Sequence, residues 1–341
     1  MNVVRVLRSG LATTVQDSGR PHLRHFGIVQ GGAMDRVSHE LANRLVGNQT
    51  NAATLEMTLN GDELEWPTEA VIAITGADLG PVITSTLGEG TAVPQHRPVF
   101  VRAGTRIRFH AAIRGCRCFV AVAGGFDVPV VMGSRSTYLR AGIGGHCGRI
   151  LQSSDELPLG TPGCVPAAID LLVREPSLRE SAFLAPNWFV RPIDLPPTGT
   201  ATLRIIRGAH FDRLKAVSRA NFWEAQFAVS AQSDRMGYRL TGSRLSEDVS
   251  EELLSEGTTV GTLQLPPDGN PILLMADSAP TGGYPRIAHV IAADLPTAAQ
   301  IRPGQSVQFQ EVTLTKAHSL LKQQRDELNH SLIMAELLSQ T

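Results

Sequence analysis

The sequence predicts a mainly β protein with a few helices, folded as two β-barrel lobes. The 341 residues include 32 Gly and 21 Pro but only 5% aromatic residues, a composition that supplies many turns between short strands. Short alternating segments of strand length follow one another along most of the chain. Similar stretches begin at positions 102 and 302, which indicates two lobes built on one plan. Closed barrels are favoured over a sandwich because closure removes exposed sheet edges.

Length and charge limit the classes of protein that fit. A chain of 341 residues can hold two domains with a large core. The formal net charge of −1 gives no electrostatic reason to expect nucleic acid or an acidic membrane surface as a partner. No apolar run approaches the roughly 20 residues of a membrane span, and Met1–Leu11 lacks the apolar segment of a signal peptide. We therefore expect a cytoplasmic protein with reduced thiols.

Lysine is rare, and its rarity excludes some chemistry. Only Lys215, Lys316 and Lys322 occur, so 31 Lys+Arg minus 3 leaves 28 Arg. The Gly-Lys-Ser/Thr sequence of a Walker loop is missing. No lysine stands in a hairpin-like context of the kind that carries biotin. We expect no covalent biotin on this chain.

The first lobe is predicted over residues 1–195 and begins with a strand at Val3–Leu7. A helix is predicted at Met34–Leu45, since its apolar residues recur at helical spacing. Asp35 suits the positive end of that helix, and Gly47 stands where a helix-ending glycine belongs.

Further short strands follow the helix. They are predicted at residues 55–59, 63–66, 71–75, 99–101, 106–110 and 118–123. Residues 127–165 are rich in Gly, Ser and Arg and are interpreted as an insertion in the first lobe. The prolines of residues 186–197 mark the lobe boundary.

The second lobe is predicted over residues 196–314. It begins with a strand at 203–207 and a helix at 210–225, and a short helix is predicted in the acidic segment 247–256. Strands return over residues 257–314.

The tail, residues 315–341, is predicted to form an amphipathic helix. Its apolar residues Leu321, Leu328, Leu332 and Ala335 recur at helical intervals. Such a helix either packs on its own lobe or binds a partner helix.

An internal repeat supports the two-lobe prediction. Residues 102–109 (RAGTRIRF) match residues 302–309 (RPGQSVQF), each with a turn at Gly followed by an alternating strand. An Asp-Arg pair recurs at 35–36 and 234–235, at nearly the same offset. The order and spacing of these echoes indicate a duplication. The two phenylalanines that end the matching segments are expected at equivalent core positions.

Several kinds of site lack their sequence signals. His22, His25 and the His146-Cys147 pair offer metal ligands, but neither HExxH nor paired CxxC is present. The nucleophile elbow GxSxG of a serine hydrolase is also missing. Gly142-Ile143-Gly144-Gly145 has only half of a dinucleotide-binding fingerprint and lacks its strand–helix context. We expect no metal site from these residues.

The stretch 264–288 carries the strongest functional signal. An apolar run of strand length, Ile272–Ala276, leads to Asp277, and Gly282, Gly283, Tyr284 and Arg286 follow closely. Adjacent glycines admit a ligand near the backbone, and their N–H groups can form an anion-binding nest. The alternative is a tight β-turn on a surface loop.

Acid–guanidinium sets beside glycine recur in the sequence. The sets are Asp17 with Arg20, Asp35 with Arg36, Asp234 with Arg235, and Asp277 with Arg286. Arginine binds carboxylate or phosphate through two parallel hydrogen bonds, and a nearby aspartate orients it or acts as a base. The alternative is a set of buried salt bridges that tie loops to the barrels.

Longer motifs resemble one known family. They are TTVQDSGR at 13–20, GAMD at 32–35, LANRLVGN at 41–48, GSRST at 133–137, SDRMG at 233–237, PPDG at 266–269 and TGGYP at 281–285. In this order they resemble the allophanate hydrolase subunit 2 domain. That family also holds the KipI antagonist proteins, the C-type subunit of the bacterial ATP-dependent 5-oxoprolinase, and part of the carboxyltransferase region of urea carboxylase. The resemblance covers about residues 3–314.

The resemblance implies two cyclophilin-like β-barrels and a stable partner, the allophanate hydrolase subunit 1 or KipI-like protein that forms the B-type subunit. For a 5-oxoprolinase it also implies the A-type subunit, with ATP used by the complex. The sequence departs from the family at residues 145–149 (GHCGR) and at Ser154-Asp155. Both departures lie in the predicted insertion.

The leading functional hypothesis from the resemblance is that the chain is the C-type subunit of a heteromeric 5-oxoprolinase. The complex would hydrolyse 5-oxo-L-proline to L-glutamate, and this subunit would be inactive alone. One alternative is a carboxyltransferase that moves a carboxyl group from carboxybiotin to a urea-like substrate. The other is a non-enzymatic antagonist of a KipI-like kinase inhibitor.

Residue types suggest roles at the expected site. Asp234, Arg235, Asp277 and Tyr284 are the candidate catalytic residues. The candidate substrate-binding residues are Gln16, Asp17, Arg20, Asp35, Gly282, Gly283 and Arg286.

Overall fold

The computed structural model describes residues 2–86, 89–163, 166–174, 181, 183–191, 194–248 and 253–338. The chain forms two compact units. The first comprises Met1–Gly19, Asp35–Leu195 and Glu327–Thr341, and the second comprises Arg20–Met34 and Pro196–Asp326. Residues 20–34 therefore belong to the second unit although the predicted first lobe contains them. Backbone hydrogen bonding explains this, since Gly31 N donates to Ala276 O at 3.2 Å.

The first unit is built from two sheets. Its strands are β1 (Val3–Arg8), β2 (Ala12–Gln16), β3 (Thr54–Thr58), β4 (Glu63–Trp66), β5 (Ala70–Asp78), β6 (Val82–Ile83), β7 (Pro98–Val101), β8 (Thr105–Arg108), β9 (Arg114–Val122), β10 (Glu156–Pro158) and β11 (Phe183–Leu184). One sheet has the order β10-β1-β4-β8-β6 and the other the order β11-β7-β5-β9-β3-β2. All pairings within them are antiparallel.

One hydrophobic core lies between these two sheets. It includes the fully buried Trp66 and Phe109 with Leu55, Ile72 and Val120. Helix α1 (Arg36–Leu45) covers the outer face of the six-stranded sheet, where the Thr75 hydroxyl donates to Ser38 O at 2.7 Å. Helix α2 spans Ala167–Arg174.

The second unit is a closed barrel. Its seven strands have the order β12-β19-β16-β17-β14-β13-β20, and only β12 and β20 pair in parallel. The strands are β12 (Thr200–Arg207), β13 (Phe227–Val229), β14 (Gly237–Thr241), β16 (Thr262–Gln264), β17 (Ile272–Leu274), β19 (Arg286–Val290) and β20 (Ser306–Glu311), and a separate two-stranded ribbon pairs β15 (Glu256–Gly257) with β18 (Thr281–Gly282).

Aromatic rings fill one end of the barrel core. Phe222 and Phe309 stack with centroids 5.2 Å apart, and Phe227 lies 5.9 Å from Phe309. Such pairs each contribute about 0.5–1.5 kcal/mol beyond area burial. The helices here are α3 (Ala216–Glu224) and α4 (Leu295–Ala299), and α5 (Leu314–Leu338) occupies the tail predicted to be helical. Short 3₁₀ turns lie at Arg24–Phe26, Phe211–Arg213 and Ala292–Asp294.

The predicted mainly β class with two lobes is confirmed, since the described residues form two β units with five α-helices. The second unit is a closed barrel, whereas the strands of the first lie in two sheets. The repeat is visible locally. Gly104 and Gly304 both have positive φ. The N–H of each donates at 2.7 Å to the carbonyl of the last residue of a neighbouring strand, Trp66 of β4 or Val229 of β13. A strand, β8 or β20, follows each glycine. Phe109 and Phe309 both lie in a core. The Asp-Arg echo takes two forms, because residues 35–36 begin a helix whereas residues 234–235 lie in a turn.

Some local predictions were wrong. The helix predicted at 210–225 is a 3₁₀ turn followed by α3, since Leu214 between them is extended. In segment 247–256, Glu247 forms a β-bridge with Leu214 and residues 253–255 are not helical, while 249–252 lie outside the described residues. The expected strand Ile272–Ala276 ends at Leu274. Strand β2 was missed because its buried side chains include Thr14 and Gln16, which hide the apolar alternation.

Candidate functional site

A buried ion pair joins Arg235 to Asp277, which lies in the stretch 264–288 that carried the strongest functional signal in the sequence. Beyond β17 the backbone continues to pair, with Met275 N donating to Met236 O at 3.0 Å and Asp277 N to Arg235 O at 2.8 Å. The two side chains then meet in a bidentate contact. Arg235 Nε lies 2.9 Å from Asp277 Oδ2, and Arg235 Nη2 lies 3.0 Å from Asp277 Oδ1. Asp277 is buried, and 12% of the Arg235 side chain remains exposed.

A glycine pair from residues 20–34 completes this site. Gly31 and Gly32 have φ of 64° and 88°, in the left-handed region that glycine adopts at little cost. The Gly32 carbonyl accepts from Arg235 Nη2 at 2.6 Å. A Cβ on Gly31 would lie 3.6 Å from Asp277 Oδ1 and 3.8 Å from Arg20 Nη1. These are ordinary contact distances, so it is the positive φ, and not lack of space, that favours glycine at position 31.

The second unit therefore brings together three predicted residues: Arg20, Arg235 and Asp277. The cluster contains two guanidinium groups and one carboxylate. Arg20 is almost fully buried, where charges are screened less than at the surface. Arginine binds carboxylate and phosphate oxygens well, so the cluster can hold an anion or a developing oxyanion.

Asp234 and Tyr284 lie differently from this cluster. Asp234 is exposed, and its Oδ1 accepts from Met236 N at 2.7 Å and from Gly237 N at 3.2 Å. This Asx turn fixes the backbone on which Arg235 stands. Tyr284 is 46% exposed.

Gly282 and Gly283 do not form the expected nest. Neither has the positive φ that alternates in a nest, and Gly282 pairs with Glu256 in the ribbon. Arg286 binds the Glu256 carboxylate and donates to Gly257 O at 3.0 Å.

Arg286 also orders His210. The backbone N–H of Arg286 donates to His210 Nδ1 at 3.1 Å, which places the proton of neutral His210 on Nε2. Burial, then the charges of Arg286 and Arg213, lower the pKa of His210.

Three predicted residues lie in the first unit, and each has a defined partner there. The Asp17 carboxylate accepts from the hydroxyls of Ser134 and Ser136 and from the N–H groups of Gly19 and Arg135. Asp35 caps helix α1, accepting from Ser38 N at 3.0 Å.

Gln16 is completely buried and donates from Nε2 to Thr14 Oγ1 at 3.0 Å and to Thr137 O at 3.1 Å. Near it, His39 Nδ1 lies 2.9 Å from Thr54 Oγ1. Burial lowers the pKa of His39 to about 4.

Residues that the sequence analysis did not assign to the site also contribute. Gly32 was noted only within the motif GAMD and Gly31 was not mentioned, although adjacent glycines are a usable signal. The Ser278 hydroxyl is buried beside Asp277, and it has no hydrogen-bond partner within the described ranges. Nothing in the sequence marks Ser278.

Metal ligands do not gather among the described residues: they contain no group of three or more His, Cys, Asp or Glu side chains placed to bind a metal. At the departure from the family motif, Arg149 forms a bidentate pair with Asp155 at 2.7 and 2.8 Å. This pair lowers the pKa of Asp155 to about 2. His146 Nε2 lies 3.5 Å from the same carboxylate.

The part of the chain that the structure describes has no helix with the length and apolar content needed to cross a membrane.

Comparisons with known proteins place these features in a wider group. The model of the carboxyltransferase domain, subdomain A and B, matches residues 26–311. The C-type 5-oxoprolinase subunit of Escherichia coli is 37% identical over 326 residues, covering 95% of both chains. That of Haemophilus influenzae is 34% identical over 90% of both chains.

Solved structures agree with this. The urea amidolyase of K. lactis superposes with a TM-score of 0.83 at 28% identity, covering 96% of this chain and 20% of the other.

Proposed function

Because the chain belongs to the carboxyltransferase family of subdomains A and B, we propose that it is one subunit of an ATP-dependent 5-oxoprolinase. The complex would open the lactam of 5-oxo-L-proline to give L-glutamate. The observation that carries this proposal is similarity over whole chains. The C-type 5-oxoprolinase subunit of Escherichia coli covers 95% of this chain and is itself covered to 95%.

A subunit needs partners, and the proposal assigns two. The first is an allophanate hydrolase subunit 1 or KipI-like protein in the role of the B-type subunit, and the second is the A-type subunit of a 5-oxoprolinase. The sequence has no Walker loop, so ATP turnover is assigned to the complex and not to this chain alone.

The reaction explains why ATP is used. A lactam amide is stabilised by resonance, and transfer of the γ-phosphoryl group of ATP to its oxygen would make the ring carbon more electrophilic. Addition of water at that carbon and cleavage of the ring C–N bond, with a proton taken up by the ring nitrogen, would leave an acyl phosphate on the opened chain. A second water would then release glutamate and inorganic phosphate.

In this scheme Arg235 binds a substrate oxygen with its exposed portion. Asp277 is a positioning residue, since its two oxygens fix the direction of the guanidinium. Tyr284, exposed on the same loop, is proposed to move the proton. Gly282 and Arg286 support the loop, because Gly282 pairs with Glu256 and Arg286 binds Glu256 and Gly257. Gly283 follows Gly282 in the same loop.

A second candidate function is carboxyl transfer from carboxybiotin to a urea-like nitrogen. The TM-score of 0.83 with the K. lactis urea carboxylase favours it. The same cluster of guanidinium groups would hold the carboxyl group. Biotin would come on another chain, because Lys215 precedes α3 and Lys316 and Lys322 lie on α5.

The test is reconstitution with both proposed partner chains. With 5-oxo-L-proline and ATP, we expect equal amounts of glutamate and ADP from the complex and none from the purified chain. ATP turnover by the chain alone would contradict the assignment of ATP to the complex.

Parallel reactions separate the alternatives. Carboxylation of urea with a carboxybiotin carrier, in the absence of glutamate formation, would replace the proposal by carboxyl transfer. A stable complex that turns over neither substrate would favour the binding-protein alternative.

A further inference from the structure

The β15–β18 ribbon continues beyond its two short strands. Thr258 N donates to Pro280 O at 3.0 Å, and the Thr258 hydroxyl donates to Ala279 O at 2.7 Å. These bonds hold the loop after Asp277 against residues 256–258.

Beneath the ribbon lies a polar side chain from the barrel, Gln264. Its neighbours Leu263 and Leu265 point into the core, so Gln264 points outward. A β-bulge between Leu263 and Gln264 shifts its pairing with β19, and bulges of this kind re-aim side chains next to active sites. Only 6% of Gln264 is exposed.

The Gln264 amide nitrogen has no hydrogen-bond partner in the described part of the chain. It lies against Gly282, where an added Cβ would be 2.5 Å from Nε2. A buried donor without a partner costs about 1–3 kcal/mol, so its presence requires an explanation. Thr258 is close to the same point, with Cγ2 3.3 Å from that Cβ.

A guanidinium group also reaches Thr258. Arg24 Nη2 donates to Thr258 O, and it lies 3.5 Å from Pro280 O. Burial alone lowers the pKa of Arg24, and no described carboxylate raises it. Arg24 stays protonated at neutral pH, so it brings a positive charge whose described partners are neutral carbonyls.

We propose that Arg24 and Gln264 together bind a carboxylate group of the substrate. A carboxylate accepts charge-assisted hydrogen bonds from a guanidinium and ordinary ones from an amide N–H₂. Urea, by contrast, is neutral and has a single acceptor oxygen, so it cannot form the charge-assisted pair with Arg24 that a carboxylate forms. The inference rests on the proposed function and deepens it: the substrate is an amide that also carries a carboxylate, as 5-oxo-L-proline does.

The position of the two sites along the chain fits this assignment. Gly282 follows Asp277 by five positions in the same loop. One end of the loop thus carries the carboxylate that orients Arg235, and the other end covers Gln264. A substrate with two oxygen-bearing ends has a donor set for each.

Binding by the reconstituted complex provides the first test. Melting temperature is measured with 5-oxo-L-proline, with acetate, and with 2-pyrrolidone, which is the same lactam without the carboxylate. We expect 5-oxo-L-proline and acetate to raise it, and 2-pyrrolidone to do so far less. Arg24→Met and Gln264→Met should abolish the effect of both carboxylates.

Matched controls are available in the same barrel. Arg239 is exposed on β14, and Gln308 is half-buried on β20, where it donates to Thr202 Oγ1. Arg239→Met and Gln308→Met therefore remove the same groups elsewhere and should bind as wild type does. In turnover assays, Arg24→Met should raise KM for 5-oxo-L-proline roughly 10- to 100-fold, as loss of a charge-assisted hydrogen bond does, with a much smaller change in kcat.

Stability of the unliganded chain gives a separate readout. Methionine is close to glutamine in size and has no N–H₂ group, so Gln264→Met should leave the melting temperature unchanged or raise it. A clear fall would show that the amide holds the fold, and it would overturn the assignment.

The inference and the proposed function fail in different ways. Carboxylate binding that depends on Arg24 and Gln264 without any glutamate formation would retain the site and reject 5-oxoprolinase activity. Equal binding of 2-pyrrolidone and 5-oxo-L-proline, or binding that survives both substitutions, would overturn the site whatever the complex turns over.

Discussion

Asp17 in the first unit and Asp277 in the second are both buried aspartates that follow a strand, yet different groups hold them. Four neutral donors surround the Asp17 carboxylate: two serine hydroxyls and two backbone N–H groups. Asp277 instead shares both oxygens with the Arg235 guanidinium. Neutral donors from residues 134–136 tie a loop to the end of β2, whereas a guanidinium partner orients a group that can bind substrate. Similar sequence surroundings therefore produce an anchor in one unit and a candidate site in the other.

The largest effects are expected from the Asp277–Arg235 pair. Asp277→Asn and Arg235→Met should each destabilise the chain by about 3–5 kcal/mol, because each leaves one buried charge without its partner. The double variant should lose less than the sum of the two, since no charge is then unpaired. All three should lower turnover of the reconstituted complex by roughly 10²-fold or more. Urea denaturation and glutamate formation measure the two quantities.

Asp234→Asn is the matched control for that pair. Asn keeps the Oδ1 that accepts from Met236 and Gly237, and position 234 is exposed, so stability and turnover should stay near wild type. A double variant with full turnover would show that the Asp277–Arg235 pair serves only the fold.

Asp17 is expected to affect stability and not chemistry. Asp17→Ala leaves three buried donors and the part-buried Arg135 N–H without their acceptor, at about 1 kcal/mol each, so the loss should be on the order of 3–4 kcal/mol. Ser136→Ala removes one donor to the Asp17 carboxylate and the acceptor of Asp17 N, so it should cost about 1–3 kcal/mol. Turnover per folded complex should remain close to wild type in both. A large loss of turnover in Asp17→Ala at unchanged stability would instead support the substrate-binding role predicted from the sequence.

The sequence was sufficient for the fold class and for the residues at the second-unit cluster. The content of turn residues and the alternation of apolar and polar residues depend on local backbone conformation, so both can be recognised in the sequence. Asp277 and Arg235 were identified because each is a charged residue close to glycine. Their pairing was not predictable, because Arg235 was grouped with Asp234, which is next to it in the chain, and Asp277 with Arg286. The choice between these partners is made by β14 and β17, which pair side by side. Gly31 and Gln264 were missed for the same reason: their importance comes from contacts across the fold, which sequence spacing does not record.

A third buried carboxylate, Asp62, provides the smallest and most specific test of the comparison. Like Asp17, it is held by neutral donors. In the described part of the chain, Gly10 N and the Thr13 hydroxyl both donate to Asp62 Oδ1, and no group bonds to Oδ2. Burial therefore raises the pKa of Asp62 from 3.8 to about 6. The folded state binds this proton more tightly than the unfolded state does. Its stabilising contribution is complete below pH 4 and is lost as pH rises through 6.

Replacing Asp62 by Asn removes the cost of burying a charged carboxylate at neutral pH, since Asn keeps the Oδ1 acceptor and never ionises. Asp62→Asn should stabilise the chain at pH 7.5 by up to about 3 kcal/mol relative to wild type and have little effect at pH 4. The pKa values of His39 and His96, lowered by burial to about 4, make wild type itself less stable as pH falls below 6.5. Each variant is therefore compared with wild type at the same pH, by urea denaturation. Destabilisation at pH 7.5, the sign expected for Asp17, would mean that Asp62 is an anchor held by more donors than these two.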